Sequence, residues 1–228
     1  FNNPAAEWII TVFMILYGIN FTVFYLLLNR RWREALASEE LRLYIGIVLA
    51  AIIAITAMIT PQVGSFSTAL RQSAFQSASF ISTTGFCTAD FNQWPQGAQA
   101  ILVILMLTGA CAGSTAGGLK MVRVAVLVKV GRREILHTFQ PRKVQAIRSE
   151  GKGLDESQVH QICVFGVVYF ALIFIGTLLL SFENKYDFTT NFTAALSCIS
   201  NIGPVLSRQS ISSMSAYGPF AKIVMSIL

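Results

Sequence analysis

The chain has 228 residues, 54% of them apolar and 12% charged, and 17 Lys and Arg stand against 11 Asp and Glu for a net charge of +6. Soluble domains carry roughly 25% charged residues, so a water-soluble domain is excluded. The basic residues flank apolar runs long enough to cross a bilayer, so the charge speaks of membrane topology and argues against nucleic acid as a partner.

The first expected span runs from Pro4 to Leu28, with Pro4 suited to a helix start, and ends at the basic Asn29–Arg33. A second span covers Glu40 to Thr60 and is punctuated by Pro61. The semi-polar region Gln62 to Gln96 follows, and then an apolar segment from Gly97 to Val128 that is interrupted by "GACAGSTAGG", Gly109 to Gly118. After a basic stretch, Lys129 to Glu156, a fourth span runs from Ser157 to Leu180. The semi-polar region Ser181 to Tyr217 precedes an apolar run from Pro219 that is too short to span. The chain opens at Phe1 without methionine, and sequence is expected to be missing at both ends. The four cysteines, Cys87, Cys111, Cys163 and Cys198, are far apart and lack CxxC spacing, which indicates free thiols rather than a metal site or a disulfide framework.

Lys and Arg concentrate in Arg30–Arg33 and in Lys129 to Lys152, which the positive-inside rule puts in the cytoplasm. Gln62 to Gln96 and Ser181 to Tyr217 then lie outside, and their few basic residues agree with that (Arg71; Lys185 and Arg208). These two outer regions are repeats. With Gly85 set over Gly203, Ser79 falls on Ser197, Ile81 on Ile199 and Ser82 on Ser200. Both copies have the same orientation, so they are parallel repeats.

Ser67 to Ser82 is helical in character but shorter than a span, which fits a helix that enters the membrane and turns back. The "TTGF" that follows, Thr83 to Phe86, has unpaired backbone at membrane depth, tolerated only where protein buries it or water lines it. Rings of backbone carbonyls can replace the hydration shell of a cation, and Gly85 and Gly203 permit the dihedrals that aim them. Hard oxygen ligands suit alkali cations. The motif therefore reads as one part of a selectivity filter, although a single loop of this kind would pass equally for a surface turn.

The segment Gly109, Ala110, Cys111, Ala112, Gly113, Ser114, Thr115, Ala116, Gly117, Gly118 has four glycines in ten residues, each costing about 1 kcal/mol in a helix relative to alanine, so it should unwind. A flexible constriction below the filter and a close helix-packing site remain two open readings. As a constriction, its shortening is expected to raise flux with selectivity unaltered. The stretch is not a P-loop, because no Gly-Lys-Ser/Thr is present. Lys120 and Arg123 are expected to mark the approach to the cytoplasmic face. An intramembrane enzyme with Ser114 or Thr115 as nucleophile lacks a base, since His137 and His160 both fall in or next to the cytoplasmic stretch. A structural or regulatory membrane subunit without its own ion flux is the remaining alternative.

"ISTTGF", "GACAGSTAGGLKMVR" and "SNIGP", in this order, resemble the Trk/Ktr/HKT superfamily of potassium transporters, most of all the bacterial Trk-type membrane subunit. The resemblance implies an all-α integral membrane fold of repeated helix–pore loop–helix units around a central pore. Residues 1–36 would be the outgoing helix of the second unit with its cytoplasmic linker. Residues 37–153 would be the third unit with the basic stretch, and 154–228 the fourth, truncated in its last helix. It assigns Thr83, Thr84, Gly85 and Phe86, with Asn201, Ile202 and Gly203, to the potassium filter. Within that set it gives potassium contacts to Thr83, Thr84, Gly85, Asn201, Ile202 and Gly203. It makes Gly109 to Gly118 the gating loop. It further implies potassium as transported substrate with no cofactor, a homodimer in the bacterial inner membrane, and a cytosolic nucleotide-binding regulatory subunit.

Overall fold

The computed structural model describes residues 3–140, 146–207 and 214–228. It begins with α1 (Pro4–Tyr17), α2 (Phe21–Leu28) and the short α3 (Trp32–Ala37). Next come α4 (Glu39–Val63), α5 (Phe66–Ile81), α6 (Gln96–Thr108) and α7 (Met121–Phe139). A small antiparallel hairpin, β1 (Arg148–Ser149) with β2 (Lys152–Gly153), leads into α8 (Glu156–Ser181), α9 (Phe188–Ile199) and α10 (Pro219–Ile227). Helices α4 and α8 are each long and apolar enough to cross a membrane. Residues 141–145 of the basic stretch, and Arg208, lie outside the described residues.

The expected first span is not one helix. α1 and α2 meet at a 94° bend across Gly18–Asn20. Asn20 caps α2 by accepting from the Thr22 amide at 2.9 Å, a capping role typical of asparagine. Gly18 is required by close approach, since a Cβ there would overlap the Tyr44 hydroxyl. α4 also differs slightly from expectation. Pro61 lies inside its last turn, and the helix stops at Gly64, which takes a left-handed φ of 73°.

The two units share one plan. α5 packs on α4 as α9 packs on α8, and α6 touches both short helices. Residues 73 to 81 of α5 are buried on every side. Some of their polar atoms find partners inside: Ser73 shares a hydrogen bond with Thr56 of α4 at 2.5 Å, and Gln76 donates to the Ala89 carbonyl at 3.0 Å, while Gln76 Oε1 and Ser77 Oγ have no partner among the described residues. In lipid there is no hydrophobic drive between helices, so such contacts and tight packing carry much of the association. The outer face of α8 exposes Val164, Val167, Val168, Phe174, Ile175 and Leu178, a surface fit for lipid tails.

Candidate functional site: two re-entrant loops and an intramembrane loop

The ends of α5 and α9 have the same backbone hydrogen-bond pattern at three successive aligned positions. Ser82, Thr83 and Thr84 amides donate to Ala78, Phe80 and Ser79 carbonyls at 3.0, 3.3 and 3.0 Å. Ser200, Asn201 and Ile202 amides donate to Leu196, Cys198 and Ser197 at 2.9, 3.1 and 2.9 Å. The backbone then reverses through left-handed residues at equivalent places, with φ of 56° at both Thr83 and Asn201, 78° at Gly85 and 109° at Gly203. A left-handed β-branched residue such as Thr83 is a genuine outlier that surrounding contacts must hold. The matched serines tie each loop to its helix. Ser79 Oγ donates to the Phe86 carbonyl at 2.7 Å, and Ser197 Oγ accepts from the Gly203 amide at 2.8 Å. Thr84 Oγ1 shares a hydrogen bond with Ser82 Oγ at 2.8 Å.

The two loops lie edge to edge. A Cβ on Gly85 would overlap the Ile202 carbonyl oxygen and come within 3.2 Å of the Pro204 ring. Elsewhere Asn92 accepts from the Ser207 amide at 2.8 Å, which joins the units a second time. Tyr169 of α8, the helix that precedes α9, shares a buried hydrogen bond with Ser200 at 2.7 Å. The structure thus brings together Thr83, Thr84, Gly85, Asn201, Ile202 and Gly203, with the Phe86 carbonyl held back toward α5.

Residues 109 to 118 form no helix, which removes helix packing as an account of their small side chains. Gly109, Gly113 and Gly118 all have positive φ, and a Cβ on Gly109 would sit 2.7 Å from the Gly117 carbonyl oxygen. The Met121 amide donates to Ala110 at 2.9 Å and closes the neck. Ser114 donates to the Cys111 carbonyl at 2.6 Å, Ala116 is buried, and Thr115 is exposed. The loop docks into the bend of the first span: the Cys111 amide donates to Gly18 at 3.1 Å, and the Phe21 amide donates to Gly113 at 3.3 Å. These bonds satisfy backbone groups that the break leaves open, as the hydrocarbon region demands.

Two expectations change here. The loop does not lie clear of the residues expected to form the filter, because the Gly117 amide donates to Thr83 Oγ1 at 2.9 Å and Gly117 is packed against the Ser200 carbonyl. Lys120 turns back into the loop, where its ammonium donates to the Ser114 carbonyl at 3.4 Å and to Ala116, instead of reaching for the membrane surface. Arg123 lies 4.2 Å from the centre of the Phe165 ring.

Sequence reasoning missed Glu40, which it names only as the start of the second span. It is only 8% exposed, and its carboxylate accepts from the Ala112 amide at 2.6 Å. The signal lay in the periodicity of α4, whose buried positions Tyr44, Val48, Ala51, Ile55 and Ile59 extend back to Glu40 and pass by Glu39. Gly18 and Asn20 were also missed, hidden within an unbroken apolar composition.

Two short helices ending in matched glycine loops, each following a long helix, define an all-α, multi-pass membrane protein built of repeated helix–pore loop–helix units. The chain belongs to the TrkH family, described as cation transport protein, whose profile matches residues 1–228. It is similar to the Trk system potassium uptake protein TrkH of Salmonella typhimurium, with 31% identity over 213 residues, 90% of this chain and 43% of that protein. Similarity to TrkG of Escherichia coli, also a Trk system potassium uptake protein, is 30% over 206 residues, 89% of this chain and 42% of the relative. The crystal structure of the potassium transporter TrkH from Vibrio parahaemolyticus superposes with a TM-score of 0.88 at 26% identity, over 100% of this chain and 49% of that one. The chain therefore spans less than half the length of the relatives it matches. Membership places it in the plasma membrane, the inner membrane of bacteria.

Proposed function

We propose that this chain supplies two pore-loop units of a protein that takes up potassium. The ion passes the edge-to-edge loops, where carbonyls and hydroxyls of Thr83, Thr84, Gly85, Asn201, Ile202 and Gly203 stand in for its hydration shell. The observation that carries this reading is the matching backbone hydrogen-bond pattern and left-handed reversal at the ends of α5 and α9. The relatives named for potassium uptake supply the ion. Residues 109 to 118 act as the gate, seated between the filter at Thr83 and the bend at Gly18. In this reading 1–36, 37–153 and 154–228 divide the chain among successive units, potassium is substrate with no cofactor, and a second copy and a cytosolic nucleotide-binding subunit complete the assembly.

The test is ion flux by the full-length protein in liposomes under imposed potassium, sodium and proton gradients. Potassium flux should exceed sodium flux, and deletion of residues 112 to 116 should raise it. Because Gly117 holds Thr83, some loss of potassium selectivity should accompany that deletion. An intact, folded protein without cation flux would overturn the proposal in favour of a structural subunit.

A further inference from the structure

The amide of Ala112 is held by a carboxylate that comes from outside the loop. Glu40 lies in the first turn of α4, is buried, and accepts from Ala112 at 2.6 Å. That first turn is itself capped from a distance. Glu150, at the tip of the β1–β2 hairpin, accepts from Ser38 Oγ at 3.0 Å, from the Glu39 amide at 3.2 Å and from the Glu40 amide at 2.9 Å. Ser38 Oγ in turn accepts from Leu41 at 3.3 Å, so the open amides of the helix start are all engaged. A carboxylate at a helix N-terminus also meets the positive end of the helix dipole. Lys129 of α7 pairs with Glu39 and donates to the Arg148 carbonyl at 2.8 Å, which fastens the hairpin beside α4. Glu150 and Gly151 keep this tip shape with φ of 51° and 75°.

We infer that Glu40 is a positioning residue for the intramembrane loop, and that Glu150 couples the polar hairpin to it through the first turn of α4. A shift of the hairpin reaches Ala112 through two carboxylates and one helical turn. The atoms are contiguous: Glu150 carboxylate, Glu40 amide, Glu40 carboxylate, Ala112 amide. This rests on the reading of residues 109 to 118 as a gate. It adds that the seated state of the gate is set from the hairpin side as well as by the filter. A hydrogen bond to a charged group is worth enough to shift such an equilibrium roughly tenfold or more.

The experiment uses the full-length protein and four forms: wild type, Glu40→Ala, Glu40→Gln and Glu150→Ala, with the deletion of residues 112 to 116 as a control for the gate. Two quantities are read, potassium flux in liposomes and amide hydrogen exchange of peptides covering 109 to 118. Glu40→Ala should raise flux and speed exchange at Ala112 roughly tenfold, whereas Glu40→Gln, which keeps an acceptor oxygen, should restore most of both. Glu150 is exposed, so Glu150→Ala tests the coupling without disturbing the buried site, and it should change both quantities in the same direction by less. Faster flux from the deletion together with wild-type exchange and flux in Glu40→Ala overturns the anchoring alone. Unaltered flux from the deletion overturns the gate, and Ala112 exchange then decides the anchoring by itself. Should Glu40→Ala not fold, wild-type exchange in Glu150→Ala overturns the inference.

Discussion

At Gly85 and Gly203 two glycines share one role under different constraints. Both are left-handed, which costs an L-residue about 1–2 kcal/mol. Gly85 also has the Ile202 carbonyl where a Cβ would go, whereas among the described residues nothing lies within 4 Å of the corresponding point at Gly203. Gly85→Ala should therefore displace the neighbouring loop and reduce discrimination of potassium from sodium strongly. Gly203→Ala should do so weakly, with little change in protein level for either. Flux ratios of the full-length variants in liposomes check this, and equal effects would mean that strain alone matters. Both glycines were legible in the sequence because residue type and repeat alignment coincide. Glu40 was not, because it stands beside an identical residue and only the burial of one face of α4 tells the two apart. Thr83 was legible as a loop residue after a short helix. Its bond to Gly117 was not, because it joins residues that are distant in sequence.

The elements that sequence shows best are those defined by length and composition: α4 and α8 as spans, α5 and α9 as short re-entrant helices, and the glycine-rich break between α6 and α7. The bend between α1 and α2 escaped because apolar character continues through it, with only Gly18 and Asn20 as a trace. The β hairpin escaped because two-residue strands have no periodicity to read. The bend makes its own prediction. Gly18→Ala would press on the Tyr44 hydroxyl, which donates to Ile15 at 3.1 Å, and overpacking of this kind costs about 1–3 kcal/mol. Tyr44→Phe alone should cost about 1 kcal/mol for the lost hydrogen bond. The double variant should be more stable than the sum of the single effects, since removal of the hydroxyl makes room for the methyl. Thermal unfolding of the purified protein measures all three, and strict additivity would refute the close contact.

For the whole molecule, the parallel repeat and the Lys and Arg bias together fix which end faces the cytoplasm. Gln96, at the start of α6, and Lys152, in the hairpin, are both exposed. Single cysteines at these positions, in protein lacking the four native cysteines, should react differently with an impermeant thiol reagent on intact cells: Gln96→Cys labels and Lys152→Cys does not. Labelling at Lys152 would invert the topology. The broken first span bears on how such a protein is made. At 1.5 Å per residue, the 14 residues of α1 reach about 21 Å, short of the roughly 30 Å of hydrocarbon. Residues 111 to 113, which hydrogen-bond to the bend, are synthesised much later than Gly18. Until they emerge, the carbonyl of Gly18 and the amide of Phe21 lack the partners they have in the finished protein. A nascent chain in the membrane therefore satisfies them best as one continuous helix from Pro4 to Leu28. On this argument the bend is expected to form when the loop arrives, which would make insertion of this segment and its final shape separate events.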